Sequence, residues 1–288
     1  MDNATYTALH HKTMDEIRDT ISSQSNILND SHNRLANVQR KGRNFGKLPK
    51  RVDRRTLQFS DYLMTQPVLP PAPVATANLA RVLKATGLTV AELFPMDGND
   101  IYGDCTMAAL AHIITMIYAF LGRTVIPAVA DVEALYFTLT GGPDSGLDML
   151  TVMNYIRQNG WLGDKPILAF AEVDTTNDYL VQQAINLFGF QYTGFVVPEN
   201  CIEQFNAGGP WVRGTLTQDG HCVPLVDINR TLGVEALSWG GQVRGTWPWF
   251  NECVDEAYVL IPAEAATPGY IPGFNSTQLL ADLAGVTT

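Results

Sequence analysis

The stretch that most constrains this chain is a turn-rich run that leads directly into a long apolar segment. Residues 97–104 are rich in aspartate, asparagine and glycine, whereas residues 106–121 contain no proline or glycine. Alanine, leucine, methionine and isoleucine dominate the second run, so it predicts a long buried helix. Asp104 is a favourable N-cap residue for that helix. Cys105 is therefore expected in the first turn of a helix that crosses the core.

Cys105 is the first candidate for chemistry, because of where that helix begins. Free backbone N–H groups and the helix dipole at a helix N-terminus favour a thiolate over a thiol. The thiolate is the form of cysteine that acts as a nucleophile near neutral pH. An inert buried cysteine fits this stretch equally well, since free cysteine is commonly a core residue. Residues elsewhere in the chain must decide between a nucleophilic and an inert cysteine.

The length and cysteine pattern limit the class of protein. The chain has 288 residues, enough for one large domain or two small ones. It has no apolar run of about 18 residues, so no membrane span is expected, and no secretion signal is recognisable at its N-terminus. The four cysteines are far apart without a CxxC pair, which favours reduced thiols and a cytosolic location. No phosphate-binding loop, dinucleotide motif or metal-ligand cluster is visible, so no cofactor or metal is expected.

Charge is unevenly distributed along the chain, whose net charge is −10. Residues 1–55 contain 11 Lys and Arg against 6 Asp and Glu, whereas residues 56–288 contain 8 against 23. An acidic body with a basic arm is not the footprint of a general nucleic-acid-binding protein. We therefore expect the basic stretch 40–55 to contact protein, either an acidic face of its own body or a neighbouring molecule.

Residues 1–75 are predicted to form an N-terminal arm ahead of one globular domain over residues 76–288. Residues 10–39 show a heptad pattern, which predicts a helix for assembly, and residues 10–55 are expected to hold a homo-oligomer or larger assembly. An amphipathic helix lying on its own domain explains the pattern equally well. Residues 40–75 are first basic and then proline-rich, which predicts an extended strap. The heptad positions are Met14, Ile17, Ile21, Gln24, Leu28, Ser31, Leu35 and Val38, two of them polar.

The globular part has a helical half followed by a β-rich half. Predicted helices cover residues 76–86, 106–121, 131–140, 147–159 and 175–188. Predicted strands cover residues 190–198, 209–216, 221–228, 234–239 and 257–262. A helical half and a β half within one domain indicate the α+β class.

His221 is the histidine best placed to serve Cys105. A nucleophilic cysteine needs an imidazole within hydrogen-bond reach to accept and return a proton. His112 would lie roughly 10 Å along the helix axis from the thiol, so it is expected to be a hydrogen-bonded core residue instead. The other three histidines lie in the arm. His221 opens an apolar strand directly after a glycine, and a surface histidine at a strand edge is the alternative interpretation.

Taken in chain order over roughly residues 95–262, these features resemble the papain-like cysteine peptidases of the cathepsin and bacteriocin-processing type. The family's nucleophile opens its central helix, as Cys105 would, and Asn99 stands where the family has an oxyanion-stabilising glutamine. The family's Gly-His-Ala-Val strand is similar to Gly220-His-Cys-Val223. The resemblance implies a papain-like fold with an antiparallel β half. It also implies that Cys105, His221 and Asn99 act together on a peptide or amide bond.

One position departs from the family pattern. Leu237-Ser-Trp-Gly240 stands in place of Asn-Ser-Trp-Gly, so leucine replaces the asparagine that orients the imidazole. Leucine cannot accept a hydrogen bond from the ring, and loss of the orienting residue weakens catalysis in triads. Glu235, on the same strand face, is a candidate substitute. Trp239 is expected to shield the Cys–His dyad from water.

Two functions therefore remain open. The first is a papain-like thiol hydrolase that acts on a peptide or protein substrate and is tethered by its N-terminal arm. The second is a structural or assembly protein with a papain-like body and weak or no catalysis. Strap and domain together are loosely similar to papain-like proteins of bacteriophages and prophages, for which a virion component is the natural interpretation. The expected location is the cytoplasm, or the virion for a phage-encoded protein, with no membrane or nucleic-acid partner.

Overall fold

The computed structural model describes residues 43–65 and 68–286. The heptad helix predicted for residues 10–39 lies outside these ranges. Within them the chain forms nine α-helices and one seven-stranded sheet. None of the helices in the described ranges is both long and apolar enough to cross a membrane.

The helix predicted from the apolar run forms the centre of the helical part. This helix, α3, is buried from Cys105 to Ala119, as its almost uniformly apolar sequence requires. Every helix predicted within the described ranges is present, with ends that differ by no more than three residues. The helices are α1 (Asn78–Thr86), α2 (Val90–Leu93), α3 (Cys105–Phe120), α4 (Val129–Thr140), α5 (Met149–Asn159), α6 (Asp178–Phe188), α7 (Cys201–Asn206), α8 (Trp247–Cys253) and α9 (Ser276–Val286).

The strands form one sheet in the order β1-β2-β7-β3-β4-β5-β6. They are β1 (Leu57–Gln58), β2 (Ile167–Glu172), β3 (Gln191–Pro198), β4 (Leu216–Asn229), β5 (Gly233–Ser238), β6 (Gly241–Gly245) and β7 (Val254–Pro262). β1 runs parallel to β2, and every other neighbouring pair is antiparallel. The α+β class is confirmed. The sheet is mixed rather than purely antiparallel, because the N-terminal strap supplies β1 at its edge.

One predicted strand is wrong. Residues 209–216 do not form a strand of the sheet, and within them Trp211 makes only an isolated bridge to Gly245. Pro210 and Gly214 explain the difference, because proline cannot donate to a strand ladder and glycine weakens a strand interior. Leu216, the last residue of that segment, instead begins the long strand β4, which continues through the predicted strand 221–228.

The sheet separates two hydrophobic cores. Along β7, Tyr258 and Leu260 pack into the core that contains α3, whereas Val259 and Ile261 pack into the other. This alternation follows because successive side chains of a strand point to opposite faces of the sheet. Cys105 belongs to the first core.

The described part of the strap lies along the body of the protein. Its basic side chains reach acidic residues of the same chain: Lys50 Nζ is 2.5 Å from Glu172 Oε1, and Arg51 Nε is 3.5 Å from Asp148 Oδ1. The prediction that the basic stretch contacts protein is confirmed, and the acidic partner is the chain's own body.

A side chain from the sheet caps α1. Asp227 of β4 accepts hydrogen bonds from the backbone N–H groups of Asn78 and Leu79, at 2.5 and 3.1 Å, and from the Thr76 hydroxyl at 2.7 Å. The residue at the N-cap position, Ala77, makes no side-chain capping bond. This contact between helix and sheet therefore satisfies the free donors of the first helical turn.

We expect Asp227→Ala to lower the free energy of unfolding by about 1–2 kcal/mol, because the capping acceptor of α1 is lost. Urea denaturation followed by circular dichroism measures the change. Glu252→Ala removes an exposed carboxylate and is the control, with an expected change within about 0.5 kcal/mol. An equal effect of the two substitutions would contradict the assigned role of Asp227.

Candidate active site

Residues 43–48 of the strap, which we call the cleft strap, lie between the helical part and the sheet. The backbone N–H of Lys47 donates to the carbonyl of Gly220 in β4 at 3.0 Å. On the opposite side, the backbone N–H of Leu147, just ahead of α5, donates to the carbonyl of Gly46 at 3.0 Å. The cleft strap therefore bridges the two halves of the domain through main-chain hydrogen bonds.

Glycines on both sides of the cleft allow this close approach. A Cβ atom at Gly146 would overlap the carbonyl of Gly46, and a Cβ atom at Gly220 would overlap the carbonyl of Lys47. At Gly103 an added Cβ would stand 2.8 Å from the backbone of the cleft strap. The cleft accepts this main chain because these positions carry no side chain.

Cys105 begins α3 in contact with the cleft strap, and only 1% of its surface is exposed. Its sulfur accepts backbone hydrogen bonds from Cys222 and from Gly46. Burial is the main influence on this thiol and raises its pKa to about 12, and the neighbouring Asp104 acts in the same direction. The expectation of a thiolate is therefore wrong for this closed state, because the loss of water outweighs the donors at the start of the helix.

His221 lies in β4 with 1% of its surface exposed, and aromatic rings surround its imidazole. Trp239 stacks on the ring, with centroids 4.7 Å apart and planes inclined by 20°. Phe45 and Phe195 meet the ring edge-on at 5.4 and 5.5 Å. Burial lowers the pKa of His221 to about 3, so the imidazole is neutral. Trp239 therefore covers the imidazole, and its shielding of a Cys–His dyad stays a prediction.

The residue that holds the imidazole is Ser238, which the sequence analysis did not identify. His221 Nε2 lies 2.9 Å from Ser238 Oγ. The suggested substitute, Glu235, is wrong, because its carboxylate accepts a hydrogen bond from Arg244 Nε at 2.7 Å. Side chains alternate along β5, so Ser238 points away from the face that carries Leu237 and Glu235. The available signal was the Ser-Trp-Gly motif, whose serine adjoins the missing asparagine.

Adjacent residues of the cleft strap contact Cys105 and His221, whose side chains are not hydrogen-bonded to each other in the part of the chain that the structure describes. The backbone N–H of Cys222 donates to the Cys105 sulfur, so the thiol contacts the residue that follows the histidine. Within the described ranges, His221 Nδ1 has no hydrogen-bond partner. With Nε2 at Ser238, Nδ1 is the ring nitrogen available to receive a proton.

Asn99 is buried in the turn ahead of α3. Its Nδ2 donates to the carbonyl of Tyr102 at 3.1 Å, and its own backbone carbonyl accepts a hydrogen bond from Asn44 of the cleft strap at 3.0 Å. The neighbouring Asp104 is also buried, which raises the pKa of its carboxyl well above the usual range. These local bonds engage the amide in the closed state, so its role as an oxyanion donor stays a prediction.

His112 is the hydrogen-bonded core residue that the sequence predicted. Its Nε2 lies 2.9 Å from the carbonyl of Pro95 and 3.1 Å from Asp97 Oδ2. Asp104 occupies the predicted N-cap position of α3, although its side chain makes no capping hydrogen bond. His112 is therefore not a second candidate base for the thiol.

Gly46→Ala is expected to open the cleft, because the added Cβ would overlap the carbonyl of Gly103. Readmitted water lowers the pKa of the Cys105 thiol, and each unit recovered raises the thiolate fraction at pH 7 about tenfold. Iodoacetamide labelling, quantified for each cysteine by mass spectrometry, measures this change. Gly209→Ala is the control, since ordinary space surrounds that glycine. Equally slow labelling of Cys105 in both variants would contradict the prediction.

The chain was compared with protein families, curated proteins and solved structures. No family model and no curated protein matches it. Xylellain, a cysteine protease from Xylella fastidiosa, is similar with a TM-score of 0.54 and 14% identity over 76% of this chain and 96% of its own. Procathepsin B S9 from Trypanosoma congolense is similar with a TM-score of 0.52 and 12% identity, over 78% of this chain and 88% of its own. Procathepsin L 3 from the larval midgut of Tenebrio molitor is similar with a TM-score of 0.50 and 11% identity, over 87% of this chain and 92% of its own. The fold of this chain is therefore that of the papain-like cysteine proteases.

Proposed function

We propose that the chain is a papain-like thiol hydrolase that cuts a peptide or amide bond, and that its described structure is a closed, latent state. The observation that carries the proposal is the position of Cys105. It lies at the start of α3, against the backbone that directly follows His221. Xylellain is named a cysteine protease and the other two similar structures are named procathepsins, which supports the same chemistry for this chain.

Cys105 and His221 have different roles in the proposed reaction. The Cys105 sulfur attacks the carbonyl carbon, while His221 Nδ1 accepts the thiol proton and passes it to the leaving amine. Water, with the imidazole as base, then hydrolyses the thioester that links the acyl group to the sulfur. The backbone N–H of Cys105 and the amide of Asn99 are our candidates for stabilising the oxyanion.

Ser238 is the positioning residue for this reaction. A proton on His221 Nε2 is donated to Ser238 Oγ, 2.9 Å away, which leaves the lone pair on Nδ1. With the proton on Nε2, the free Nδ1 can accept the proton of the thiol. A hydroxyl accepts this bond as an asparagine carbonyl would, so leucine at position 237 does not leave the imidazole without a partner.

The cleft strap accounts for latency. Its Gly46 N–H donates to the Cys105 sulfur, and its Phe45 ring packs against the imidazole. A substrate carbonyl cannot reach a sulfur that is 1% exposed, and burial keeps both the thiol and the imidazole neutral. Catalysis therefore requires the cleft strap to leave.

The alternative of a structural or virion protein rests on Leu237, the basic strap and the heptad pattern of residues 10–39, the last of which lies outside the described residues. The similar structures are named a cysteine protease and procathepsins, and none is named a structural protein. The proposed assembly through residues 10–55 is compatible with either function, so it does not favour the alternative.

The opened variant Gly46→Ala should hydrolyse a mixed peptide library at pH 7, whereas the unaltered chain should leave it intact. In the opened background Cys105→Ala should abolish hydrolysis, because the nucleophile is lost. Ser238→Ala should lower kcat about 10–100-fold with little change in KM, as expected when a group that orients a functional imidazole is removed. Mass spectrometry of the products measures all three effects.

Cys253→Ala is the matched control for Cys105→Ala, because it alters a buried cysteine in the second core. It should leave the hydrolysis rate unchanged in the opened background. Hydrolysis that continues after Cys105→Ala would refute the proposed function.

Acid is expected to open the cleft, because the closed state holds His221 neutral. The pKa of His221 is about 3 in the closed state and 6.5 when the ring is solvated, so between these values only the opened state takes up the proton. The neutral imidazole therefore stabilises the closed state fully above pH 6.5. This stabilisation is lost as the pH falls towards 3, by about 1.4 kcal/mol per pH unit. Glu256 acts in the opposite direction, because burial raises its pKa in the closed state, so its protonation favours that state as the pH falls.

Hydrogen exchange of the Lys47 amide, which donates to Gly220 in the closed state, measures this opening. Between pH 6 and 4, after correction for the intrinsic exchange rate, the opening constant should rise about tenfold per pH unit from His221 alone. His221→Gln should remove this rise, because the substituted side chain takes up no proton. A slope that the substitution does not change would contradict the prediction.

A further inference from the structure

The side chain of Lys47 leaves the cleft strap and enters a closed acidic pocket. Its Nζ lies 2.9 Å from Asp255 Oδ2 and 2.9 Å from Glu256 Oε1. Only 1% of the Lys47 and Glu256 side chains is exposed, whereas Asp255 keeps 29%. A basic side chain is therefore fully enclosed, with its charge neutralised from two sides.

The walls of the pocket fit a long unbranched side chain. A Cβ atom at Gly194 would overlap Lys47 Cε and stand 2.7 Å from Met149 Sδ. Gly194 of β3 is also the register partner of Glu256 in β7, so the glycine opens the pocket next to the carboxylate. Any other residue at position 194 would fill the space that the lysine methylene groups occupy.

The carboxylate at the end of the pocket is held in place. The Tyr258 hydroxyl donates to Glu256 Oε2 at 2.9 Å, which leaves Oε1 to receive the ammonium group. Burial raises the pKa of Glu256, and Lys47 opposes that rise. Burial alone would lower the pKa of Lys47, but the two carboxylates reverse this and raise it, so the ammonium stays charged. An apolar side chain would anchor the cleft strap at least as well, since buried ion pairs are costly to desolvate.

The pocket adjoins the groups proposed for catalysis. The Lys47 N–H donates to the carbonyl of Gly220, the residue before His221, and the N–H of Gly46 donates to the Cys105 sulfur. A peptide that uses the same backbone groups of the cleft would place one of its side chains in this pocket.

We propose that the pocket formed by Gly194, Met149, Asp255 and Glu256 is a lysine-recognition site, and that the substrates of this chain are peptides that carry a lysine. In the closed state Lys47 of the cleft strap occupies this site. The substrate class rests on the proposed function, whereas recognition of the lysine side chain does not. Glu256 is the residue that determines specificity, because it is the fully buried carboxylate.

The binding test uses the full chain with Lys47→Ala, which empties the pocket. n-Butylammonium, which matches the lysine side chain, should raise the melting temperature in a saturable way, because it binds the folded state. n-Butanol, of nearly the same shape without the charge, should not. Adding Glu256→Gln should remove most of the n-butylammonium response. Equal responses to the two compounds, or a response that survives Glu256→Gln, would overturn the proposal.

A second measurement uses Gly46→Ala, in case Lys47→Ala does not fold. Matched peptide pairs, each with lysine or norleucine at one position, are compared for hydrolysis. At the best position lysine should be preferred about tenfold or more in kcat/KM, which corresponds to about 1.4 kcal/mol of transition-state binding. Glu256→Gln should bring this ratio close to one. Equal hydrolysis of lysine and norleucine peptides would overturn the lysine site and leave the hydrolase standing.

The two proposals fail in different ways. Selective binding of n-butylammonium without hydrolysis of any peptide would support the lysine site and refute the thiol hydrolase. An equal preference for arginine and lysine peptides would overturn the assignment to lysine. The depth of the pocket, which Gly194 and Met149 set, would then not discriminate between the two basic side chains.

Discussion

The closed state depends on a steric fact: the main chain of the cleft strap occupies space that a side chain on the surrounding glycines would fill. Gly103, Gly146 and Gly220 each face this main chain, from both halves of the domain. Because the approach is this close, water is excluded from the thiol and the imidazole together. The electrostatic state of the site therefore follows from the shape of the cleft rather than from the identity of its ionisable groups.

The same burial has opposite effects at two places in the cleft. Among the described residues, Cys105 and His221 have no charged partner within hydrogen-bond distance, so the exclusion of water leaves both neutral. Lys47 is equally buried, but it stays charged because two carboxylates lie 2.9 Å from its nitrogen. Removing one member of such a pair by substitution costs about 3–5 kcal/mol, because the remaining charge stays buried without a partner.

The parts of the fold that could be predicted are those set by local sequence. A sixteen-residue apolar run without proline or glycine predicts a buried helix, and Cys105 lies where a turn meets that helix. The sequence predicts that His221 opens its strand, but it lies inside β4, because the strand begins at Leu216. Contacts between distant segments could not be predicted. Nothing in the basic run marks Lys47 as the buried lysine, because its partner Asp255 lies 208 residues away. The role of Ser238 depends on which face of β5 it occupies, which the local sequence does not determine. A thiolate at Cys105 requires a solvated helix start, whereas the cleft strap buries this one.

The strap is anchored to the body again just beyond the cleft. Leu57 and Gln58 pair with β2 at the edge of the sheet, and Phe59 and Tyr62 are buried. Residues 49–56 between the two attachments can span about 30 Å at most. After the cleft strap leaves the cleft, this short linker therefore keeps it tethered nearby, at an effective concentration in the millimolar range. Dilution cannot displace a blocking segment that is held in this way. Near neutral pH, lasting exposure of the cleft in the unaltered chain therefore requires that residues 49–56 be cut or that another molecule capture the released segment.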